Sequence, residues 1–250
     1  MIDSHSHLND SRFDNDLKQV MQRAKQKLEA VITLSDDYEA NEKNLKISKE
    51  YPGFVFTCFG SGPISTIKEN KLNEVIAFIQ KNKKKMVAVG EVGLDYYWDK
   101  QNHVKQKENF IKFIELANEL RKPIVVHSRE AEEDALHLLE KKADTRVIMH
   151  SFEGSDSLIK RALDNDYFIG VTTKAIYSTK TKDLIKAIEL SKLLTETDSP
   201  YLNPLKRGER NEPINVGFLV KLISEVFEEE VEVIDKLTEK NAVHAFGLKI

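Results

Sequence analysis

Short apolar runs rich in β-branched side chains recur along the chain at 1–5, 30–34, 54–59, 86–90, 123–127, 146–150, 167–171 and 193–197. Their starts lie roughly 20–35 residues apart, the repeat of a strand–helix unit. Ile124-Val125-Val126 shows no polar alternation, as expected of a strand covered on both faces. Amphipathic stretches fill the intervals. Phe110, Phe113, Ile114, Ala117 and Leu120 fall on one helical face, Leu136 with Leu139 and Leu158 with Ala162 mark shorter helices, and two more patterns cover 216–227 and 231–246. These stripes read as helix-to-sheet packing. With no linker or low-complexity segment between them, residues 1–250 read as a single domain. Eight such units in this length predict an α/β fold, a single (β/α)8 TIM-type barrel, because an open sheet would leave the strand ends far apart.

Polar residues at those strand ends change the picture. His5, His7, Glu91, His127, His150 and Asp198 stand at, or just after, the ends of five separate runs. A closed parallel barrel brings all its strand C-termini to one rim. Side chains alternate along a strand, so His5 and His7 face the same side as a preformed pair. An isolated H-x-H is a weak signal; four more ligand types at equivalent positions strengthen it. Glu91 follows an uncharged run, where a carboxylate is costly unless paired or metal-bound. Its two oxygens can bridge two cations. His127 and His150 close neighbouring strands and, with Glu91, complete a second site. Asp95 is either a partner of the ligands or a turn residue, and Glu196 is expected to be structural, pointing away from Asp198 or lying outside the pocket. The set predicts two divalent cations, with zinc, manganese, magnesium and nickel all compatible with mixed imidazole and carboxylate ligands. The expected chemistry is hydrolysis by a metal-bridging water, with Asp198 as general base and Glu91 also catalytic.

Charge then narrows the substrate. The net charge of −3 gives no global attraction to nucleic acid. Two divalent cations outweigh two carboxylates and a hydroxide, so the mouth itself is expected to be cationic and to draw a phosphodiester. Lys100, Arg129, Lys174, Lys206, Arg207 and Arg210 fall in the expected rim loops, and the guanidinium fork suits phosphate. Arg129 and Arg210 are the expected phosphate contacts, and Tyr96 the expected base-stacking aromatic of Tyr96-Tyr97-Trp98. Lys81-Asn82-Lys83-Lys84-Lys85 precedes the fourth strand and is placed at the barrel floor, as helix-terminal charge rather than a nucleic-acid patch.

Other chemistries find no support. Cys58 is the single cysteine and lies inside an apolar run, which excludes an intramolecular disulfide and fits a reducing cytoplasm. Secretory leaders, membrane spans and the glycine patterns of Walker or dinucleotide sites are not seen. No obligate protein partner is evident.

At this level of detail the chain resembles the TatD family of metal-dependent deoxyribonucleases, within the amidohydrolase-like metal barrels. The likeness rests on Asp3-Ser4-His5-Ser6-His7-Leu8, Gly90-Glu91-Val92-Gly93-Leu94-Asp95-Tyr96-Tyr97, His127-Ser128-Arg129, His150-Ser151-Phe152 with Gly154, Glu196-Thr197-Asp198-Ser199-Pro200-Tyr201 and Arg210-Asn211-Glu212-Pro213. The resemblance implies that His5, His7, Glu91 and Asp198 hold one metal and that Glu91, His127 and His150 hold the other. It also implies cleavage of DNA from a 3′ end. Two positions depart from the family pattern. Gly62 stands where a phosphate-facing histidine is common, and Asn9 where an acidic residue is common. The open place at Gly62 admits an ester or amide hydrolase such as a D-aminoacyl-tRNA deacylase; a separate alternative is a metal-binding nucleic-acid scaffold with weak catalysis.

Overall fold

The computed structural model describes residues 1–63 and 69–250, with only the backbone of Glu69. Eight strands form one parallel sheet in the order β1 to β8. They are β1 (Ile2–Ser6), β2 (Ala30–Thr33), β3 (Val55–Phe59), β4 (Ala88–Asp95), β5 (Ile124–Arg129), β6 (Val147–His150), β7 (Phe168–Thr172) and β8 (Leu193–Glu196). Helices α1 (Leu17–Ala24), α2 (Tyr38–Glu50), α3 (Glu69–Asn82), α4 (His103–Leu120), α5 (Glu132–Lys142), α6 (Asp156–Asp164) and α7 (Thr179–Ile185) follow the first seven strands in turn. Helices α8 (Val216–Phe227) and α9 (Val231–Phe246) follow the last. The expected repeat is therefore present, and the sheet curls until β8 meets β1. There Asp198 N–H donates to His5 O at 2.9 Å, His7 N–H to Ser199 O at 2.6 Å and Ser4 Oγ to Thr195 O at 2.9 Å.

One buried cluster takes a side chain from every strand: Ile2, Ile32, Cys58, Ala88, Val125, Ile148, Phe168 and Leu194. Only the barrel interior can collect all eight. Helix α9 plugs the N-terminal end of the barrel with Ala242, Ala245 and Phe246, and Asn241 Nδ2 donates to Leu193 O at 2.9 Å. A larger buried cluster lies between the strands and the helices around them.

The interior phase explains where the polar residues point. Val125, Ile148 and Leu194 face inward, so His127, His150 and Glu196, two residues on, do too. Ile2 and Ala88 also face inward, yet His5 and Glu91 lie three residues on. Each strand carries an irregularity that corrects the phase. Asp3 and Ser6 of β1 pair with Val31 and Thr33, three steps against two. Val89 and Val92 of β4 pair with Ile124 and Val126 in the same way. One extra residue in a strand turns all later side chains to the opposite face.

The fourth strand differs from expectation. It continues past Gly90 to Asp95, so Glu91 sits inside it rather than after it. Glycine and acidic residues disguise the strand, but Gly93 is there because β5 lies against it. A Cβ at Gly93, whose φ is +146°, would stand 2.0 Å from His127 O. The lysine run after α3 lies ahead of β4, at the floor, as expected.

Candidate metal centre

The barrel mouth gathers all six expected ligands. His5 Nε2 and His7 Nε2 lie 3.2 Å apart. Glu91 Oε2 is 3.3 Å from His5 Nε2 and 3.6 Å from His7 Nε2. Asp198 Oδ1 is 3.3 Å from His7 Nε2, 3.8 Å from His5 Nε2 and 3.9 Å from His150 Nε2. On the other side, Glu91 Oε1 is 2.9 Å from His127 Nδ1. Three overlapping triads can each hold a cation: His5, His7, Glu91; His5, His150, Asp198; and Glu91, His127, His150. Asp198 takes a left-handed backbone, φ +55°, and such backbone clusters at functional sites.

The donor set fits a metal on geometry. Ligands bonded at 2.0–2.1 Å around a tetrahedral ion lie about 3.3–3.4 Å apart. Five of the six distances among the ligand atoms of His5, His7, Glu91 and Asp198, all those that involve an imidazole, run from 3.2 to 3.8 Å. The imidazoles offer nitrogen donors, and Glu91 presents one oxygen to each side.

Two carboxylates stand behind the candidate ligands: Asp95, expected as either a partner or a turn residue, is a partner, and Glu196, expected to point away from Asp198 or lie outside the pocket, holds His150. Asp95 Oδ2 is 3.0 Å from His127 Nε2, so this ring is held at both nitrogens. Glu196 Oε2 is 2.8 Å from His150 Nδ1 and accepts from Ser151 N–H at 3.2 Å. Glu196 is fully buried beneath the pocket, tied to a ligand rather than apart from the site. Gly170 makes its room: a Cβ there would meet Glu196 Oε1 at 2.1 Å. The signal for Glu196 was its inward phase from Leu194; the signal for Asp95 was its inward phase from Glu91. Carboxylates behind metal-binding histidines fix ring orientation and tautomer.

Electrostatics follow from crowding. Burial alone would lower the His7 pKa, but Asp198 and Glu91 outweigh it and hold the ring up to about 9. Burial likewise opposes Asp95 and Glu91 at His127 and loses, leaving that ring at about 10. His5, buried and beside His150, is pushed down. Burial would raise Glu91 and Asp198, yet the surrounding imidazoles hold both below the usual carboxylate range. Protons thus occupy, in the metal-free site, positions that a bound cation would take over.

The remaining expected contacts divide. Arg129 lines the mouth, its guanidinium 4.0 Å above the Tyr97 ring and 5.6 Å from Trp98. Arg210 does not reach it. That guanidinium is held by Asp16 at 2.6 and 2.7 Å and by Glu212 at 2.9 Å. Its neighbour Asn211 is buried and donates to Thr197 O at 3.0 Å, bracing the backbone next to Asp198. Tyr96 turns away too, stacked on His103 at 3.6 Å and donating to Asp134 at 2.7 Å. Trp98, three-quarters exposed, is the member of that aromatic trio on the cleft wall. Of the other cations, Lys174 and Arg207 line an adjoining cleft, and Lys206 pairs with Glu209 at 3.3 Å. Cys58 is buried in β3, its thiol pKa pushed up by burial.

A TIM-type barrel with clustered imidazoles and carboxylates at its C-terminal rim defines the class, a metal-dependent hydrolase. The model of the TatD related DNase family matches residues 2–247, so this chain belongs to the TatD family. It is 34% identical to the uncharacterized metal-dependent hydrolase YabD of Bacillus subtilis, over 99% of each chain. It is 32% identical to the human deoxyribonuclease TATDN3, covering 98% of this chain and 94% of that one. The crystal structure of the TatD homologue YJJV from Escherichia coli superposes with a TM-score of 0.92 at 25% identity, over 100% of this chain and 98% of that one. No helix among the described residues is long and apolar enough to cross a membrane.

Proposed function

We propose that this chain, as one domain, hydrolyses DNA phosphodiester bonds at a dinuclear divalent-metal site, acting as a 3′-to-5′ exodeoxyribonuclease in the cytoplasm. The observation that carries the dinuclear reading is Glu91. Its Oε2 faces His5 and His7 while its Oε1 faces His127, the disposition of a carboxylate that bridges two ions. His5, His7, Glu91 and Asp198 hold one cation; Glu91, His127 and His150 hold the other. When bound, the two cations supply an acidified water and neutralise charge building on the phosphate.

The chain's own groups do the rest. Asp198 is ionised, and its Oδ1 lies within 4 Å of His5, His7 and His150, so it accepts the proton of the attacking water. Asp95 and Glu196 keep His127 and His150 oriented. Arg129 supplies a guanidinium to the phosphate, and Trp98 and Tyr201 offer ring faces on the wall of a cleft of about 550 Å³. The human relative bearing the name deoxyribonuclease supports DNA as the substrate.

One observation favours a second reading. Gly62 leaves the cleft wall bare, and Asp36 stands beside it, its Cβ 3.2 Å from where a Gly62 Cβ would lie. An acid at that place suits an ammonium better than a phosphate, as in an aminoacyl ester. Assaying one metal-loaded preparation on end-labelled single-stranded DNA, a D-aminoacyl-tRNA and an aryl ester separates the two. Loss of a 3′ label first, abolished by chelation and restored by added metal, is the expected result. DNA cleavage that survives complete metal removal, or turnover of the esters alone, contradicts it.

A further inference from the structure

The metal cluster lies where two clefts meet. His127, Arg129, His150 and Asp198 line both. The first, described above, runs under the loops after β2, β3 and β4, with Pro63, Trp98 and Tyr201 on its walls. The second, of about 360 Å³, runs under the loops after β6, β7 and β8 and carries Lys174, Tyr177 and Arg207. A small ester centred on the cluster fills one arm. A chain extending to both sides of the reacting bond fills both.

Charge distinguishes the arms. The chain has eight arginines. Arg12, Arg23, Arg161 and Arg210 are each held by a carboxylate. Arg146 donates to a backbone carbonyl. Arg121, Arg129 and Arg207 have no carboxylate within 4 Å among the described residues; Arg121 is exposed ahead of β5, at the floor, whereas Arg129 and Arg207 line the second cleft. Each of these last two lies near an aromatic ring, Arg207 at 5.1 Å from Tyr177 and Arg129 at 4.0 Å from Tyr97. Lys174, on the same wall, is paired with Glu153 at 2.6 Å, and Glu132 offsets part of the remaining charge. Two guanidiniums in one cleft that keep their forks free of carboxylates are what a phosphate needs.

We propose that the second cleft is a binding site for the phosphodiester backbone of the substrate, one or two nucleotides away from the scissile bond, with Arg207 as its anion contact and Arg129, which lines both clefts, at its junction with the metal centre. The proposal rests on the nuclease reading and makes the substrate a strand rather than a dinucleotide or simple ester. Arg207 is on an exposed loop, so replacing it leaves the barrel intact.

The test is fluorescence anisotropy on the metal-loaded protein, using labelled DNA of two and six nucleotides with phosphorothioate at every linkage to suppress cleavage. The wild type is expected to bind the longer strand at least about 10-fold more tightly. Arg207→Glu is expected to remove most of that preference and to reduce the salt slope by about 0.7, the share of one phosphate on a single strand. Lys84→Glu, at the barrel floor, is the charge-matched control and is expected to change neither. An unchanged length preference in Arg207→Glu, or an equal loss in Lys84→Glu, overturns the subsite. Cleavage of the natural strands is scored separately. A protein that binds by length through Arg207 but cleaves no DNA contradicts the nuclease reading while upholding the subsite.

Discussion

The two ends of the barrel are built from the same strands, yet they obey opposite rules. Val125, Ile148 and Leu194 pack below in a dry apolar layer over the α9 plug. Two residues further on, His127, His150 and Glu196 occupy the same inward face; His150 and Glu196 are almost completely buried and His127 is partly so. Burying such groups is unfavourable unless each is paired or bound to metal. The floor is therefore arranged for stability and the rim for chemistry, and substitutions at the two ends should fail in different ways.

The largest effect is expected at the rim. His127→Ala or Asp198→Ala should lower turnover by at least about 10³-fold, roughly 4 kcal/mol in barrier. The same variants should melt cooperatively, with near-native far-UV circular dichroism. Loss of folding instead would place these residues with the floor. Ile148→Ala, one layer down, should do the reverse. Deleting a buried aliphatic side chain costs about 2–5 kcal/mol of stability, read as a lower midpoint in urea, while the metal content of the folded fraction stays at the wild-type level.

Between the ends, Glu196 and Gly170 connect packing to chemistry. Gly170→Ala drives a methyl into the Glu196 carboxylate and should displace the group that orients His150. Glu196→Gln should weaken the same contact without the steric clash. Both are expected to weaken metal binding by about 10–100-fold, measured by competition with a chromogenic chelator. Wild-type affinity in both would make Glu196 a passive buried group.

A smaller effect separates the metal-free and metal-loaded rims by pH. His7 and His127 are raised above their unfolded values, to about 9 and about 10. Their pairs with Asp198, Glu91 and Asp95 therefore add stability that is fully present below pH about 6.5 and is lost as pH rises through those values. The metal-free protein should lose several degrees of melting temperature between pH 7 and pH 10. The metal-loaded protein, whose imidazoles carry no such protons, should lose less. Equal slopes would mean that these protons do not occupy the ligand positions.

The strand repeat was legible from the apolar runs, and the six candidate ligands from the polar side chains at, or just after, the ends of five of them, which a barrel interior tolerates only when paired or metal-bound. The partners behind the ligands were less so. Asp95 and Glu196 acquire meaning only from His127 on β5 and His150 on β6, and Asp95 stayed open between partner and turn residue because β4 continues through glycines that local propensity reads as a loop. Arg210 and Tyr96 were misplaced for the same physical reason. A guanidinium in a rim loop looks free until Asp16 and Glu212 are brought beside it, and a tyrosine next to a ligand looks available until His103 and Asp134 hold it. The phase shifts in β1 and β4 were likewise invisible, since they exist only as pairing with a neighbour.

The most direct measurement is the number of divalent ions bound per chain, by elemental analysis after equilibrium dialysis of the purified protein and of Glu91→Gln. Two ions in the wild type, falling to one or none when the shared carboxylate is replaced, is the predicted result. One ion or none in the wild type, or two still held by Glu91→Gln, would contradict a pair of cations joined through Glu91.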